Sequence, residues 1–301
     1  MPRLPITKTP KPYVGGAFIR SESGRTFPLQ DAAGKFLANM PQCTRKDLRN
    51  AVEAAAKAGP GWAKRTAYNR GQILYRLGEM LEARRQEMAE ALRLGAGSQK
   101  PTDGGRVRPL TKASALREVD ATTDRIIYYA GWADKYEQVL GNVNPVASPH
   151  FNFTVTEPMG VVGVIAPDAP ALLGLVSLFA PVIVSGNTVV ALAAEAAPYP
   201  AILLGEMLAT SDLPGGVVNL LTGYRKELVP TFATHTHLRA ISAAANADDR
   251  KALRLGAAES IKRVRFAEAA GEGDWFAETA QSVYAIRDFL EFKTTWHPIG
   301  A

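Results

Sequence analysis

Residues 157–223 constrain the fold of this chain more than any other stretch. An unbroken apolar run at 161–166 passes through a turn bracketed by Pro167 and Pro170. It leads into 171–184, whose length and Leu/Ala content suit a buried helix, and a second apolar run at 188–193 follows at once. A strand buried on both faces loses the inside/outside alternation of a half-exposed one, so run, helix, run reads as a βαβ crossover in a parallel sheet. Further runs at 217–221, 238–243 and 262–267 alternate with helical segments. The expected fold class is α/β, a doubly wound open parallel sheet of about five strands.

Upstream, 13–19 and 26–29 read as the two strands of a hairpin turned at Gly24. Thr44 followed by Asp47 signals a helix start, and Gly59-Pro60-Gly61 its end. Apolar residues at three- and four-residue steps predict a second helix over 68–94 and a third over 115–139. Between them, 95–114 is rich in Gly, Pro and polar residues and is expected as an exposed loop. Its glycines lack the Gly-Lys-Ser/Thr of a phosphate loop. Residues 151–156 alternate as a strand with one apolar face, 275–292 carry apolar residues at helical spacing, and 291–298 close the chain as another strand.

A chain of 301 residues, 47% hydrophobic, can bury a large core. Its net charge of +6 is spread among acids, as where Arg84 and Arg85 stand beside Glu82 and Glu87, so no nucleic-acid partner is expected. A single cysteine, Cys43, excludes an internal disulfide framework and any thiolate metal cluster, and fits a reducing, cytoplasmic location. Asp168 and Pro167, Pro170 and Pro181 interrupt the most apolar stretch, so no membrane span is expected. His235 and His237 would share a face if extended, but zinc wants three or four ligands and no metal site is expected.

Three blocks, EPMGVVGVIAP from Glu157, SGNTVVALAAE from Ser185 and LPGGVVNLLTG from Leu213, resemble the cofactor-binding segment of the aldehyde dehydrogenase superfamily in order and spacing. TyrValGlyGlyAlaPhe at 13–18 and the Gly61-Trp62 pair resemble its N-terminal landmarks. The resemblance implies a division into 1–139, the hairpin and helical part of a cofactor-like domain; 140–158, an oligomerisation arm strand; 159–270, the five-stranded dinucleotide-domain-like core; and 271–301, a C-terminal helix and oligomerisation strand. It also implies that the family's catalytic domain, which lies between the last two, is missing.

Aldehyde oxidation in that family needs a thiolate nucleophile, a general base, an oxyanion hole and a nicotinamide. The family's Pro-Trp-Asn-Phe-Pro turn corresponds here to Pro167-Asp168-Ala169-Pro170-Ala171, and Ala169 offers no side-chain donor. Its Glu-Leu-Gly-Gly base motif becomes Ala267-Glu268-Ala269-Ala270-Gly271, which puts Ala267 in the base position, or Glu268 after a one-residue slip. Cys43 lies outside the region where the family carries its cysteine. The ribose-binding Lys is replaced by Leu192 while Glu195 remains, and the pyrophosphate turn Phe-Thr-Gly-Ser becomes Ala243-Ala244-Ala245-Asn246. Glu195 and Pro167 are the vestiges of a cofactor site; no catalytic residue and no bound cofactor are expected.

These readings imply a non-catalytic subunit with a structural or assembly role. The alternative is an NAD(P)-binding regulator or an oxidoreductase of the family with residual nucleotide binding. The family's arm pairs edge to edge with a neighbouring subunit, and both arm strands are kept here. Phe151, Phe153, Phe292 and Trp296 are therefore expected at an interface, with a full-length aldehyde dehydrogenase as partner or, failing that, a second copy of this chain.

Overall fold

The structure is a computed structural model, and it describes residues 8–31, 34–95, 110–267 and 274–300. Most of the loop expected at 95–114, and Glu268, lie outside the described residues.

Tyr13–Val14 (β1) and Ala17–Phe18 (β2) form a two-residue hairpin whose Gly15 and Gly16 have φ of 62° and 86°. Two successive positive φ values are what a primed turn demands and what glycine supplies without strain. The hairpin expected about Gly24 does not form. Thr26–Gln30 (β3) pairs instead with Phe36–Pro41 (β4), and Gly24 closes a local turn by donating its N–H to the Ser21 carbonyl at 3.0 Å. The Gly15-Gly16 pair takes the hairpin closer in sequence.

Arg45–Ala63 (α1) starts at Thr44, whose backbone N–H and hydroxyl both donate to the Asp47 carboxylate, at 2.7 and 3.0 Å. The helix runs on through Pro60, past the expected stop. Trp62 beyond it is fully buried and donates its indole N–H to the Ile183 carbonyl at 2.8 Å, so tertiary packing overrides the local breakers. The expected helix over 68–94 is two, Ala67–Ala83 (α2) and Arg85–Gly95 (α3), parted at Arg84. The Arg84 guanidinium is drawn to Glu87 and Glu206. The third expected helix likewise divides into Lys112–Trp132 (α4) and Tyr136–Leu140 (α5).

Asn142–Asn144 (β5) and His150–Pro158 (β6) lead into the core. There Val161–Ile165 (β7), Ala171–Val184 (α6), Thr188–Leu192 (β8), Tyr199–Leu208 (α7), Val218–Leu221 (β9), Arg225–Thr234 (α8), Leu238–Ala243 (β10), Ala247–Ala258 (α9) and Arg263–Phe266 (β11) follow in strict alternation. Five parallel strands in the order β11-β10-β7-β8-β9 carry β1 and β2 on the outer edge, antiparallel, with Tyr13 opposite Leu220. This is the expected α/β, doubly wound sheet. One face packs α2, α4, α6 and α7 in a cluster with Phe179 and Trp62, and the other packs α1, α8 and α9 around Leu48, Phe232 and Leu253. Every residue of α6 but Ser177 is buried. Among the described residues no helix is long and apolar enough to cross a membrane.

After β11 the chain does not form the helix expected over 275–292. It makes a single 3-10 turn at Glu278–Ala280, a short helix Val283–Arg287 (α10) and the strand Leu290–Pro298 (β12). The buried Arg125 of α4 explains this path: its guanidinium takes the carbonyls of Trp275 (2.9 Å) and Ala280 (3.2 Å) and the Gln281 side chain (3.0 Å). Carbonyls held by a side chain are withdrawn from helical bonding. The Phe289 carbonyl is taken by Asn187 at 2.8 Å, which aims the chain into β12. β12 pairs with β6 along its whole length, giving a three-stranded arm in the order β12-β6-β5.

Candidate functional site

In an open α/β sheet, ligands bind outside the carboxyl ends of the strands where the strand order reverses. Here that point lies between β7 and β10, and it is filled by Arg225. Arg225 is the first residue of α8 and is 5% exposed. Its guanidinium donates to the Ala166 carbonyl at the end of β7 and, at 3.2 Å, to the Ala244 carbonyl just past β10. Asp168 stands 3.7 Å from the same guanidinium and accepts the N–H groups of Glu195 (2.8 Å) and Ala196 (3.0 Å). Glu195 closes the ring by accepting the Arg225 N–H at 2.6 Å. Beside this network Arg250 donates to the carbonyls of Ala245 (2.9 Å) and Ala267 (3.0 Å), so two arginines cover the rim of β7, β10 and β11.

The N-terminus of α9, where the family's turn would meet a pyrophosphate, is already served by its own chain. Asn246 accepts the Asp249 N–H at 2.8 Å, and Asp248 and Asp249 occupy the first turn. A helix N-terminus favours an anion, and here that anion is a carboxylate, which opposes a phosphate. Burial raises the Asp249 carboxyl above its usual value; the Arg225 charge opposes that shift, and the neighbouring Asp248 and Asp168 add to it. Ala245 adds a Cβ where close backbone approach would be needed. These residues do not fit a dinucleotide.

Glu195 and Pro167, expected from the sequence as vestiges of a cofactor site, make contacts within the chain. Glu195 caps α8, and burial raises its carboxyl above the usual value, partly offset by the Arg225 N–H. Pro167 is buried against α6, so close that a Cβ on Gly174 would come within 2.2 Å of its ring. Leu192, in the place of the family's lysine, is fully buried in the core beside the α1–α8 face.

Cys43 is fully buried, its backbone N–H bonded to the Thr222 carbonyl at 2.9 Å, and burial pushes its thiol up to about 12. At neutral pH it is a thiol and no nucleophile. Ala169 is exposed and Ala267 half-buried, and neither carries an ionisable group. The rings of His235 and His237 lie 6.0 Å apart, and among the described residues no three His, Cys, Asp or Glu side chains could hold a metal ion.

The four aromatic residues expected together on one edge are divided between the two faces of the arm. Directly opposed residues of an antiparallel pair share a face, and Trp296 opposes Asn152, Phe292 opposes Thr156, Thr295 opposes Phe153 and His297 opposes Phe151. Phe151 and Phe153, with ring centroids 5.4 Å apart, therefore share one face with Val143 and Val155. Phe292 and Trp296 lie on the other, where Asn144 bonds Asn152 at 2.6 Å and Thr154 bonds Thr294 at 2.9 Å. The two phenylalanines sit on the central strand, and only Phe292 and Trp296 belong to the edge strand β12. Alternation identified each strand, while the register that sorts residues to faces is a long-range pairing.

Sequence reasoning missed Arg225 and the partnership of Asp168. A signal was present: an arginine as the first residue of a helix opposes the helix dipole and needs a carboxylate or carbonyl partner elsewhere.

The sequence model of the aldehyde dehydrogenase family matches residues 18–276. Mouse retinal dehydrogenase 2 is 32% identical over 268 residues, 87% of this chain and 49% of that protein. The cytosolic aldehyde dehydrogenase 1 of Elephantulus edwardii is 29% identical, over 88% of this chain and 52% of its own. A Bacillus cereus aldehyde dehydrogenase solved as an NAD+ complex superposes with a TM-score of 0.77 at 27% identity, covering 86% of this chain and 50% of that one. The chain spans about half the length of the relatives it matches.

Proposed function

The chain belongs to the aldehyde dehydrogenase family, and from that premise we propose that it is a non-catalytic member whose role is assembly. The observation that carries this reading is the Arg225 guanidinium seated between Ala166 and Ala244, where a dinucleotide would have to enter. Charged hydrogen bonds of this kind are worth about 1.5–3 kcal/mol each, so a ligand displacing the guanidinium starts from a deficit. The buried Cys43 thiol supports the same conclusion, since the covalent step on an aldehyde needs a thiolate.

What remains is a folded α/β body bearing an arm whose outer strand, β12, is exposed along nearly its whole length. An exposed strand edge is a template for pairing with another chain, and Phe292 and Trp296 add apolar area beside it. Both partners expected from the sequence, a complete aldehyde dehydrogenase and a second copy, would meet the chain at this edge.

Calorimetry with NAD+ and NADP+, alongside an aldehyde oxidation assay on the purified chain, tests the reading. Absent or millimolar binding and no reduction of either cofactor are expected. Micromolar binding would instead support the regulator, a chain that holds nucleotide without turnover.

A further inference from the structure

Among the described residues the outer edge of β12 is unpaired, and it has a definite pattern of donors and acceptors. Ile299 donates its N–H to the Pro149 carbonyl at 3.0 Å, one step beyond the pairing of Pro298 with His150. Hydrogen-bonded and non-hydrogen-bonded pairs alternate along an antiparallel ladder. Glu291, Lys293, Thr295 and His297 therefore direct their backbone groups to β6, and Phe292, Thr294 and Trp296 direct theirs outward. Leu290 has the outward parity too, and its carbonyl is indeed taken from that side by Arg263 at 3.0 Å, so the open edge begins at Phe292. Pro298 has no N–H, so the last outward donor of β12 is Trp296.

This edge is self-complementary. Resting on the assembly reading above, we infer that its partner is a second copy of this chain, paired antiparallel across a two-fold axis at Thr294 and extending the arm into one continuous sheet. In that register Thr294 faces its own copy and Phe292 faces Trp296 of the second copy on either side. Every outward N–H of Phe292, Thr294 and Trp296 then finds a carbonyl. The aromatic pairs fall on the face of Asn152, where Phe292 is 44% and Trp296 57% exposed in the single chain. Glu291 comes opposite His297 and Lys293 opposite Thr295, so no like charges oppose directly.

Neighbouring registers are worse. A two-fold axis at Lys293 sets two ammonium groups against each other, one at Thr295 places the donor-less Pro298 opposite Phe292, and one at Phe292 drives the second strand toward Arg263 and α10. In the Thr294 register the second strand ends where Arg263 begins to cover the edge, at Leu290. The arm joins its body at the buried Leu290, which comes opposite Pro298 of the second copy, so the two junctions lie about 26 Å apart along the strands at opposite ends of the sheet.

The test is sedimentation of the full chain at micromolar concentration, with variants that read the register. The parent chain should have twice the chain mass. Thr294→Lys should be monomeric, Thr294→Glu likewise, and an equimolar mixture of the two should recover the doubled mass. Thr294→Cys should form a covalent dimer on mild oxidation, because hydrogen-bonded pairs stand about 5.5 Å apart at Cα and the chain's own Cys43 is buried. Phe292→Cys alone should not cross-link, but mixed with Trp296→Cys it should.

A monomeric parent chain, or a dimer indifferent to Thr294→Lys with no cross-link through Thr294→Cys, overturns the proposal. If the parent is monomeric alone but co-elutes with a co-expressed full-length aldehyde dehydrogenase from the same source, the second copy is wrong while the assembly role stands. If it is monomeric and elutes separately, both fail.

Discussion

Arg225 and Asp168 meet 3.7 Å apart at the point where the strand order of the sheet reverses, closing the crevice that this fold ordinarily offers to a ligand. The pair ties β7, β8 and β10 together at their carboxyl ends through Ala166, Glu195 and Ala244.

Arg225→Ala should therefore lower the unfolding free energy by about 2–3 kcal/mol, because the Ala166 and Ala244 carbonyls and the Asp168 carboxylate lose a charged partner. Urea denaturation measures this. The same variant should still fail to bind NAD+ by calorimetry, since Asp248 and Asp249 continue to occupy the N-terminus of α9.

Cys43 should resist thiol reagents in the native chain at pH 8, its thiol being buried and pushed up to about 12, and should react at once in denaturant. Rapid labelling under native conditions would show an accessible thiolate and count against the reading of this residue as core.

Glu118 gives a pH test. From α4 its buried carboxyl accepts the Leu172 and Leu173 N–H groups, at 2.8 and 3.3 Å, and so caps α6, whose own cap position is Pro170. Burial raises this carboxyl above its ordinary 4.5, so over the window above 4.5 the folded chain holds a proton that the unfolded chain has lost. Its contribution to stability is full below 4.5 and is lost as pH rises through the folded value. Glu118→Gln, which keeps the acceptor without the charge, should flatten that slope. Glu118→Ala should cost about 1–3 kcal/mol at any pH by leaving two buried N–H groups uncapped. Thermal melts across pH 4 to 8 on all three proteins would separate these effects.

Arg125 should control the chain between β11 and β12. Arg125→Met keeps the bulk of the side chain and removes its bonds to Trp275, Ala280 and Gln281. Hydrogen exchange in residues 275–289 should quicken while the central strands β7 and β8 stay protected. Unchanged exchange there would mean that α10 and Asn187 alone position the arm.

Much of this protein was legible in its sequence. The apolar runs at 161–166 and 188–193, too continuous for half-exposed strands, determined a parallel sheet buried on both faces, and their alternation with helices determined the doubly wound order. The absence of a placed thiol, Ala169, and the altered pyrophosphate turn ending at Asn246 were equally plain, because the chemistry of a side chain is local information. Tertiary structure decided whatever rests on partners distant in sequence. Trp62 bonding Ile183 carried α1 through Pro60, and Arg125 unmade the helix expected over 275–292. Arg225 entered the crevice because Ala166, Asp168 and Ala244, far from it along the chain, converge there. The register of β12 on β6 sent Phe153 to one face and Trp296 to the other, since a side-chain period of two makes a strand readable by itself while its facing is set only by the strand beside it.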